Sequence, residues 1–123
     1  MTLFQLTRPA ALLRIEGAFA LGLATYFFWR SDGNWALYAL LLLAPDIGML
    51  GYVRGSRIGS AAYNLFHTYA MPAALGTIGT VTNTNLLVWL ALIWGAHIGM
   101  DRLIGYGLKY AWAPFKETHL DKV

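Results

Sequence analysis

Long apolar stretches separated by short polar connections make up most of the chain. Four of these stretches approach the roughly 20 residues that a helix needs to cross a bilayer core. They cover about residues 10–29, 35–53, 58–81 and 86–106, and a polar tail follows at 107–123. Because short connections join antiparallel neighbours, the pattern predicts an all-α polytopic membrane protein. Its four transmembrane helices would form an up-down-up-down bundle.

The composition argues against a small soluble protein and for a single membrane domain over residues 1–123. Hydrophobic residues make up 58% of the 123 residues and charged residues only 12%, whereas soluble domains are about 25% charged. The absence of cysteine excludes a disulfide scaffold and a thiolate metal site. The net charge of +3 is not clustered on one soluble face, so we expect no nucleic-acid partner. Membrane lipids are the expected partners, and a homo-oligomer is compatible with the sequence.

The positive charges predict how the protein is oriented in the membrane. Eight of the nine lysines and arginines fall on one side of the four-span arrangement, and only Arg30 falls on the other. Positively charged connections remain on the cytoplasmic side of membranes. We therefore expect both termini and the middle connection to be cytoplasmic.

Five ionisable residues fall inside the predicted spans, although such groups are costly at bilayer depth and usually face the interior of a bundle. They are Glu16, Asp46, His67, His97 and Asp101. At 1.5 Å per residue, all five lie roughly 8–14 Å from the cytoplasmic ends of their helices. A single residue near a helix end could extend to water, but a layer with members on every helix is not explained in that way. The sequence therefore predicts a buried carboxylate and histidine site in the cytoplasmic half.

The spacing within this layer adds detail. His97 and Asp101 are four residues apart and share a helix face. Pro45 is expected to open the second helix beside Asp46 and to free backbone carbonyls there. A shift of 51 residues pairs Glu16 with His67, and also Asp46 with His97. It suggests the hypothesis of a parallel two-helix repeat.

Two carboxylates and two imidazoles suit a divalent transition metal such as zinc, iron or manganese. The candidate ligands are Glu16, Asp46, His67 and His97, with His119 as an additional one. The same layer, with Asp101, also suits metal-free acid/base catalysis, so these residues are the candidate catalytic groups. The main interpretation is a membrane-embedded enzyme that hydrolyses, isomerises or cyclises a lipophilic small molecule. The alternatives are binding or transport of an ion, a proton, a lipid or haem, or a polar network that only fixes the packing of the helices.

Four further residues are candidates for contact with a substrate. Asn64 lies three residues before His67 and shares its helix face. Arg102, Tyr106 and Lys109 lie at the end of the last span, where such residues ordinarily anchor a helix at the membrane interface. Their functional interpretation is a site for a lipid headgroup or an anionic substrate.

Motifs distributed over nearly the whole chain resemble those of a known family. They are LRIEG at 13–17, APD at 44–46, YNLFHTY at 63–69, AHIGMDRLIGYGLKY at 96–110 and FKETHL at 115–120. Together they resemble a family of small bacterial four-span membrane proteins classed as a domain of unknown function. The resemblance implies the four-span arrangement and a location in the bacterial inner membrane, and it implies no activity.

Overall fold

Helices form all the regular structure in the computed structural model, which describes residues 2–110 and 118–121. The α-helices are α1 (Leu3–Leu6), α2 (Pro9–Arg30), α3 (Trp35–Leu41), α4 (Ser56–Phe66), α5 (Ala70–Val81) and α6 (Asn85–Ile104). A 3₁₀ helix, Ala44–Arg54, follows α3 and is called the Asp46 helix below, and a short 3₁₀ turn covers His119–Asp121. The all-α prediction is confirmed for the described residues.

Three helical segments are long and apolar enough to cross a membrane: Pro9–Arg30, Trp35–Arg54 and Asn85–Ile104. The fourth predicted span, 58–81, is divided into α4 and α5, and the apolar α5 has only 12 residues. That is well short of the roughly 20 residues that span a bilayer. The described structure therefore agrees with a membrane protein with three candidate spans, and the four-span bundle stays a prediction.

Helix α6 lies at the centre of the packing, between α2 and α5. A close approach of Gly17 to Gly99 at one end, and of the Phe28 and Trp89 rings at the other, shows that α2 and α6 run antiparallel. The Asp46 helix packs mainly against α4 and also touches α6.

The helices are interrupted beside two of the predicted site residues. Pro45 has no N–H group, and the N–H of Asp46 bonds to the carbonyl of Leu43 rather than to that of Leu42. Helix α4 ends where the N–H of His67 bonds to the carbonyl of Asn64, three residues back. Both interruptions leave backbone carbonyls that α-helical bonding does not use.

These interruptions bear on the two-helix repeat. Helix α2 continues through Glu16, whereas the chain leaves the helix at the paired position His67. The interruption before Asp46 likewise has no counterpart at His97, which lies inside the continuous α6. Glu16 is also exposed whereas His67 is fully buried. The two halves therefore differ in local structure at the paired positions, and the repeat stays a hypothesis.

Candidate metal centre

Four side chains from three elements meet next to these interruptions. Asp46 comes from the Asp46 helix, His67 from the end of α4, and His97 and Asp101 from successive turns of α6. One ligand atom of each lies within 4.8 Å of the others. We call this group the His/Asp cluster. Three of its members are buried, and Asp46, with 38% of its side chain exposed, is on the open side.

Five of the six distances among the four donor atoms are close to those of a tetrahedral metal site, and the sixth, between the Asp46 and Asp101 carboxylates, is within 4.8 Å. His67 Nε2 lies 3.1 Å from Asp46 Oδ1, 3.0 Å from His97 Nε2 and 3.3 Å from Asp101 Oδ2. His97 Nε2 lies 3.1 Å from Asp46 Oδ1 and 3.2 Å from Asp101 Oδ2. Four ligands at about 2.0 Å from a metal, arranged as a tetrahedron, are about 3.3 Å apart. All five distances therefore have the size that a divalent transition metal would require.

The backbone orients the His67 ring so that Nε2 points into the cluster. Nδ1 of His67 lies 2.8 Å from the carbonyl oxygen of Tyr63. A carbonyl only accepts hydrogen bonds, so Nδ1 carries the proton and donates it. The Tyr63 ring stacks on the His67 ring, with centroids 3.8 Å apart and an interplanar angle of 5°. A histidine held through one nitrogen by a backbone carbonyl is the usual arrangement of a metal ligand.

His97 has a similar but incomplete arrangement. Its Nδ1 is buried and makes no hydrogen bond within the described residues. The carbonyl of Leu42, which Pro45 leaves without a helical donor, lies beside the His97 ring.

The charges of the His/Asp cluster favour a cation at its centre. The two Nε2 atoms are 3.0 Å apart, so only one proton fits between them. With neutral rings, two ionised carboxylates would leave a net negative charge in a largely buried site, which is costly without compensation. A divalent cation bound by neutral histidines would balance both carboxylates.

Two buried cations surround the cluster without entering it. Arg102 donates hydrogen bonds to the carbonyl of His67 (2.8 Å) and to that of Tyr106 (3.1 Å). The ammonium of Lys109 lies 5.2 Å from the Tyr63 ring centroid and 5.7 Å from that of Tyr106. These contacts fasten the residues after α6 onto the end of α4 and support the His67 side of the cluster.

Glu16 does not join the cluster, which corrects its prediction as one of the four metal ligands. It is exposed on α2, whereas the next residue, Gly17, faces α6. Consecutive helical residues point about 100° apart, so a helix that packs through Gly17 turns Glu16 away. Depth along α2 therefore placed Glu16 at the level of the cluster, but it did not indicate which way the helix turns this side chain.

His119 is also placed away from the metal ligands, which corrects its assignment as an additional ligand. Its Nδ1 accepts a hydrogen bond from the N–H of Leu108 at 2.6 Å, and its own N–H donates to the Leu108 carbonyl at 2.7 Å. The hydroxyl of Thr118 accepts a bond from the N–H of Gly107. His119 therefore attaches the tail to the chain that follows α6.

Most of the predicted substrate contacts have structural partners instead. The Asn64 amide donates to the carbonyl of Lys109 at 2.8 Å and accepts from its N–H at 2.6 Å. Arg102 and Lys109 are 6% and 5% exposed. These three residues are occupied in the packing, and their contact with a substrate stays a prediction. Tyr106 is 48% exposed, and its contact with a substrate stays a prediction.

Sequence reasoning missed Tyr63, which stacks on His67 and supplies the carbonyl for its ring. The spacing of four residues between them was the available signal. It also missed the close approach of Gly17 and Gly99, which determines how α6 presents its ligands. No spacing rule indicated that approach, because it depends on which glycines face each other.

The geometry disagrees with haem between His67 and His97. Two axial histidines lie on opposite faces of the haem, each nitrogen about 2.0 Å from the metal, so the nitrogens are about 4 Å apart. The observed separation of 3.0 Å is too short, and both nitrogens face the same carboxylates. This spacing favours a single metal ion over haem, and haem binding stays an alternative prediction.

The fold and the site define a class: a helical protein with membrane-like apolar helices and a buried His/Asp cluster. The model of the family described as a domain of unknown function, DUF4260, matches residues 10–123, and the chain belongs to this family. This match confirms the resemblance seen in the sequence motifs. No curated protein and no solved structure matches the chain.

Proposed function

We propose that the protein is a membrane-embedded metalloenzyme that acts on a lipophilic substrate. The observation that carries this proposal is the convergence of four donor atoms, with each histidine Nε2 within 3.0–3.3 Å of the other Nε2 and of both carboxylates. Two imidazoles and two carboxylates suit zinc and iron(II), and the carboxylates also suit manganese. A divalent ion would balance the charge of both carboxylates.

The uneven exposure of the ligands supports an enzyme rather than a purely structural metal site. Structural zinc sites are closed, whereas catalytic sites keep one position for water or substrate. His67, His97 and Asp101 are buried and would be the three protein ligands, whereas Asp46 is on the open side and would lie beside the fourth position, where water would bind. A metal bound here would activate water and polarise a substrate carbonyl. Asp46 would accept a proton from that water and return it to the leaving group, as a general base and acid.

The metal site is tested by elemental analysis of the protein purified in lipid nanodiscs after loading with zinc, iron(II) or manganese. We expect about one metal ion per chain in the wild type. His97→Gln and Asp101→Asn each remove a ligand and should lower the metal content at least tenfold. Asp32→Asn is the matched control, because Asp32 is exposed in a loop at φ 57°, which asparagine adopts readily. A wild type without stoichiometric metal after loading with each ion would refute the proposal.

The enzymatic part has a separate test. Cobalt(II) in place of the native metal gives a visible spectrum that reports the ligands around it. If a position is open to substrate, acetohydroxamic acid should change this spectrum in the wild type. A cobalt spectrum that does not respond would show a closed, structural site, and would leave the metal site itself standing.

We also propose that the site lies in the cytoplasmic half of a bacterial inner membrane, with both termini cytoplasmic. The distribution of lysine and arginine supports this orientation. The chain contains no cysteine, so single cysteines can be introduced without a background. Ser31→Cys should react with an impermeant maleimide added to intact cells, and Thr7→Cys should react only after the cells are opened. The reverse pattern would overturn the orientation.

A metal-free proton site is the second candidate function. It is favoured by the 3.0 Å between the two Nε2 atoms, a distance at which the rings share one proton. Such a cluster would bind or transfer protons. It would be supported by a wild type that binds none of the three metals.

A further inference from the structure

We propose that a pocket at the shared end of α2 and α6 binds a phosphate group through the guanidinium of Arg14. This inference goes beyond the proposed function and does not depend on a metal. The pocket has a volume of about 300 Å³. Its walls come from the first turns of α2, the end of α6 with the residues after it, and the tail. Residues of these walls include Ala10, Arg14, Tyr106, Thr118 and Leu120.

The guanidinium of Arg14 is held by one nitrogen, which leaves the other two for a ligand. Its Nε donates to the carbonyl of Leu103 at 3.1 Å. Within the described part of the chain, Nη1 and Nη2 donate to no acceptor, and no carboxylate pairs with Arg14. Glu16 lies only two residues along α2, a spacing at which helical side chains do not face each other. Two adjacent N–H groups of a guanidinium match two oxygens of a phosphate.

The pocket lies at the level where a membrane presents the phosphates of its lipids. Two of the three candidate spans, Pro9–Arg30 and Asn85–Ile104, have an end at this pocket. The ends of such helices lie at the boundary between the hydrocarbon core and the headgroups. Basic pockets between membrane helices at this boundary are suited to anionic headgroups.

The negative end of the α6 dipole would disfavour an anion if its carbonyls were free. The carbonyls of residues 101–103 instead accept hydrogen bonds from the backbone N–H groups of Tyr106 and Gly105 and from Nε of Arg14. Arg102 adds a positive charge in the last turn of the helix. The end of α6 is therefore capped in a way that is compatible with a bound anion.

The tail gives the pocket a third wall and limits its size. Thr118 and Leu120 are only 2% and 6% exposed, so the tail is packed against the end of the two helices. If each ligand atom occupies about the 30 Å³ of a liquid water molecule, the pocket holds about ten atoms, which is the size of a glycerol phosphate group. Tyr106, also in the lining, offers a hydroxyl as a further donor.

The experiment is native mass spectrometry of the protein released from nonionic detergent micelles. Two phosphate probes, dioleoyl phosphatidic acid and glycerol 3-phosphate, are compared with their phosphate-free counterparts, dioleoylglycerol and glycerol. Because the pocket lies at a membrane boundary, we expect phosphatidic acid to bind at least tenfold more tightly than dioleoylglycerol. Preferential binding of glycerol 3-phosphate over glycerol, without a preference for phosphatidic acid, would identify a soluble phosphate as the ligand and would still support the pocket.

Two variants with matched controls locate the binding. Arg14→Gln should weaken phosphate binding at least tenfold, whereas Arg8→Gln makes the same charge change at an exposed residue of the same helix end, outside the lining, and should bind like the wild type. Ala10→Leu fills the pocket without changing the charge and should also weaken binding tenfold. Ala11→Leu is its control, because Ala11 is similarly half-buried but does not line the pocket.

The outcomes are separate from those of the proposed function, because neither the probes nor the variants involve the His/Asp cluster. Equal binding of both phosphate probes and their counterparts would overturn the inference. Equal losses in Arg14→Gln and Arg8→Gln would overturn it too, because they indicate a diffuse attraction to positive charge. If Arg14→Gln does not fold, as judged by circular dichroism, undiminished binding in Ala10→Leu overturns it instead. All of these results leave the metal site standing.

Discussion

Gly99→Ala is expected to weaken metal binding although it touches no ligand. A Cβ atom at Gly99 would lie 2.6 Å from the carbonyl oxygen of Gly17 and 2.6 Å from the backbone nitrogen of Leu21. Ordinary contacts of this kind begin at 3.4 Å, and both neighbours are backbone atoms of α2. The two helices must therefore move apart by about 0.8 Å.

The displacement acts on the cluster through the geometry of α6. His97 and Asp101 lie two residues before and after Gly99, so they point about 160° away from it, toward Asp46 and His67. Moving α6 away from α2 pushes His97 and Asp101 toward Asp46 and His67, although their donor atoms are already only 3.0–3.3 Å apart. Metal sites tolerate changes of about 0.2 Å in their distances. We expect the affinity for zinc to fall about 10- to 100-fold, as for other changes to the support of a ligand.

The matched control for this prediction is Gly95→Ala, one turn earlier on the same helix. A Cβ atom at Gly95 would meet nothing within 4 Å. The two variants make the same chemical change in α6, so the effect of alanine on helix formation is shared. Zinc affinity is measured by competition with a chelator of known affinity. Equal affinities for Gly99→Ala and Gly95→Ala would refute the reasoning.

Two further predictions concern the residues that fasten the end of the chain. Asn64→Ala removes both hydrogen bonds to the backbone of Lys109 and should lower the free energy of unfolding by about 2 kcal/mol. Asn64→Asp keeps the acceptor but places a carboxylate oxygen against the Lys109 carbonyl, so it should lose at least as much in thermal unfolding; a smaller loss than that of alanine would contradict this pairing. Burial, with a smaller effect of the Arg102 charge, lowers the pKa of His119, whose Nδ1 accepts from the N–H of Leu108. The attachment of the tail should therefore be complete above about pH 6.5 and weaken as the pH falls toward the lowered pKa. Hydrogen exchange at Leu108 measures this weakening, which His119→Asn should abolish.

Depth along the chain predicted most of the cluster, but it did not predict which helix faces meet. It placed Asp46, His67 and His97 at one level, and the structure brings them together. It also placed Glu16 there, and α2 turns that residue outward because it packs through Gly17. Which residues of a helix point into the protein depends on the rotation of the helix about its axis. The close approach of small residues determines this rotation, and the sequence of α2 has no distinct polar face that would indicate it.

The division of the third predicted span had a similar cause. Hydropathy is continuous across 58–81, so it predicts one helix, and nothing in that average marks the end of α4. The chain ends the helix at His67, where the side chain bonds to the carbonyl that its own backbone N–H does not use. Side-chain bonds of this kind compete with the helix, and they are invisible to a pattern of apolar residues.

The interruptions themselves favour a functional site over a network that only fixes the packing. An interrupted helix in an apolar environment leaves carbonyls whose hydrogen bonds must be replaced. The carbonyl of Tyr63 binds the His67 ring, that of His67 binds Arg102, and that of Leu42 lies beside the His97 ring. Each freed carbonyl is thus next to a ligand ring or to a cation behind it. Polar contacts between membrane helices contribute only about 0.6 kcal/mol on average. Two continuous helices could make such contacts, so packing alone does not require the interruptions. An arrangement that instead fixes the second nitrogen of the ligand rings is what metal binding requires.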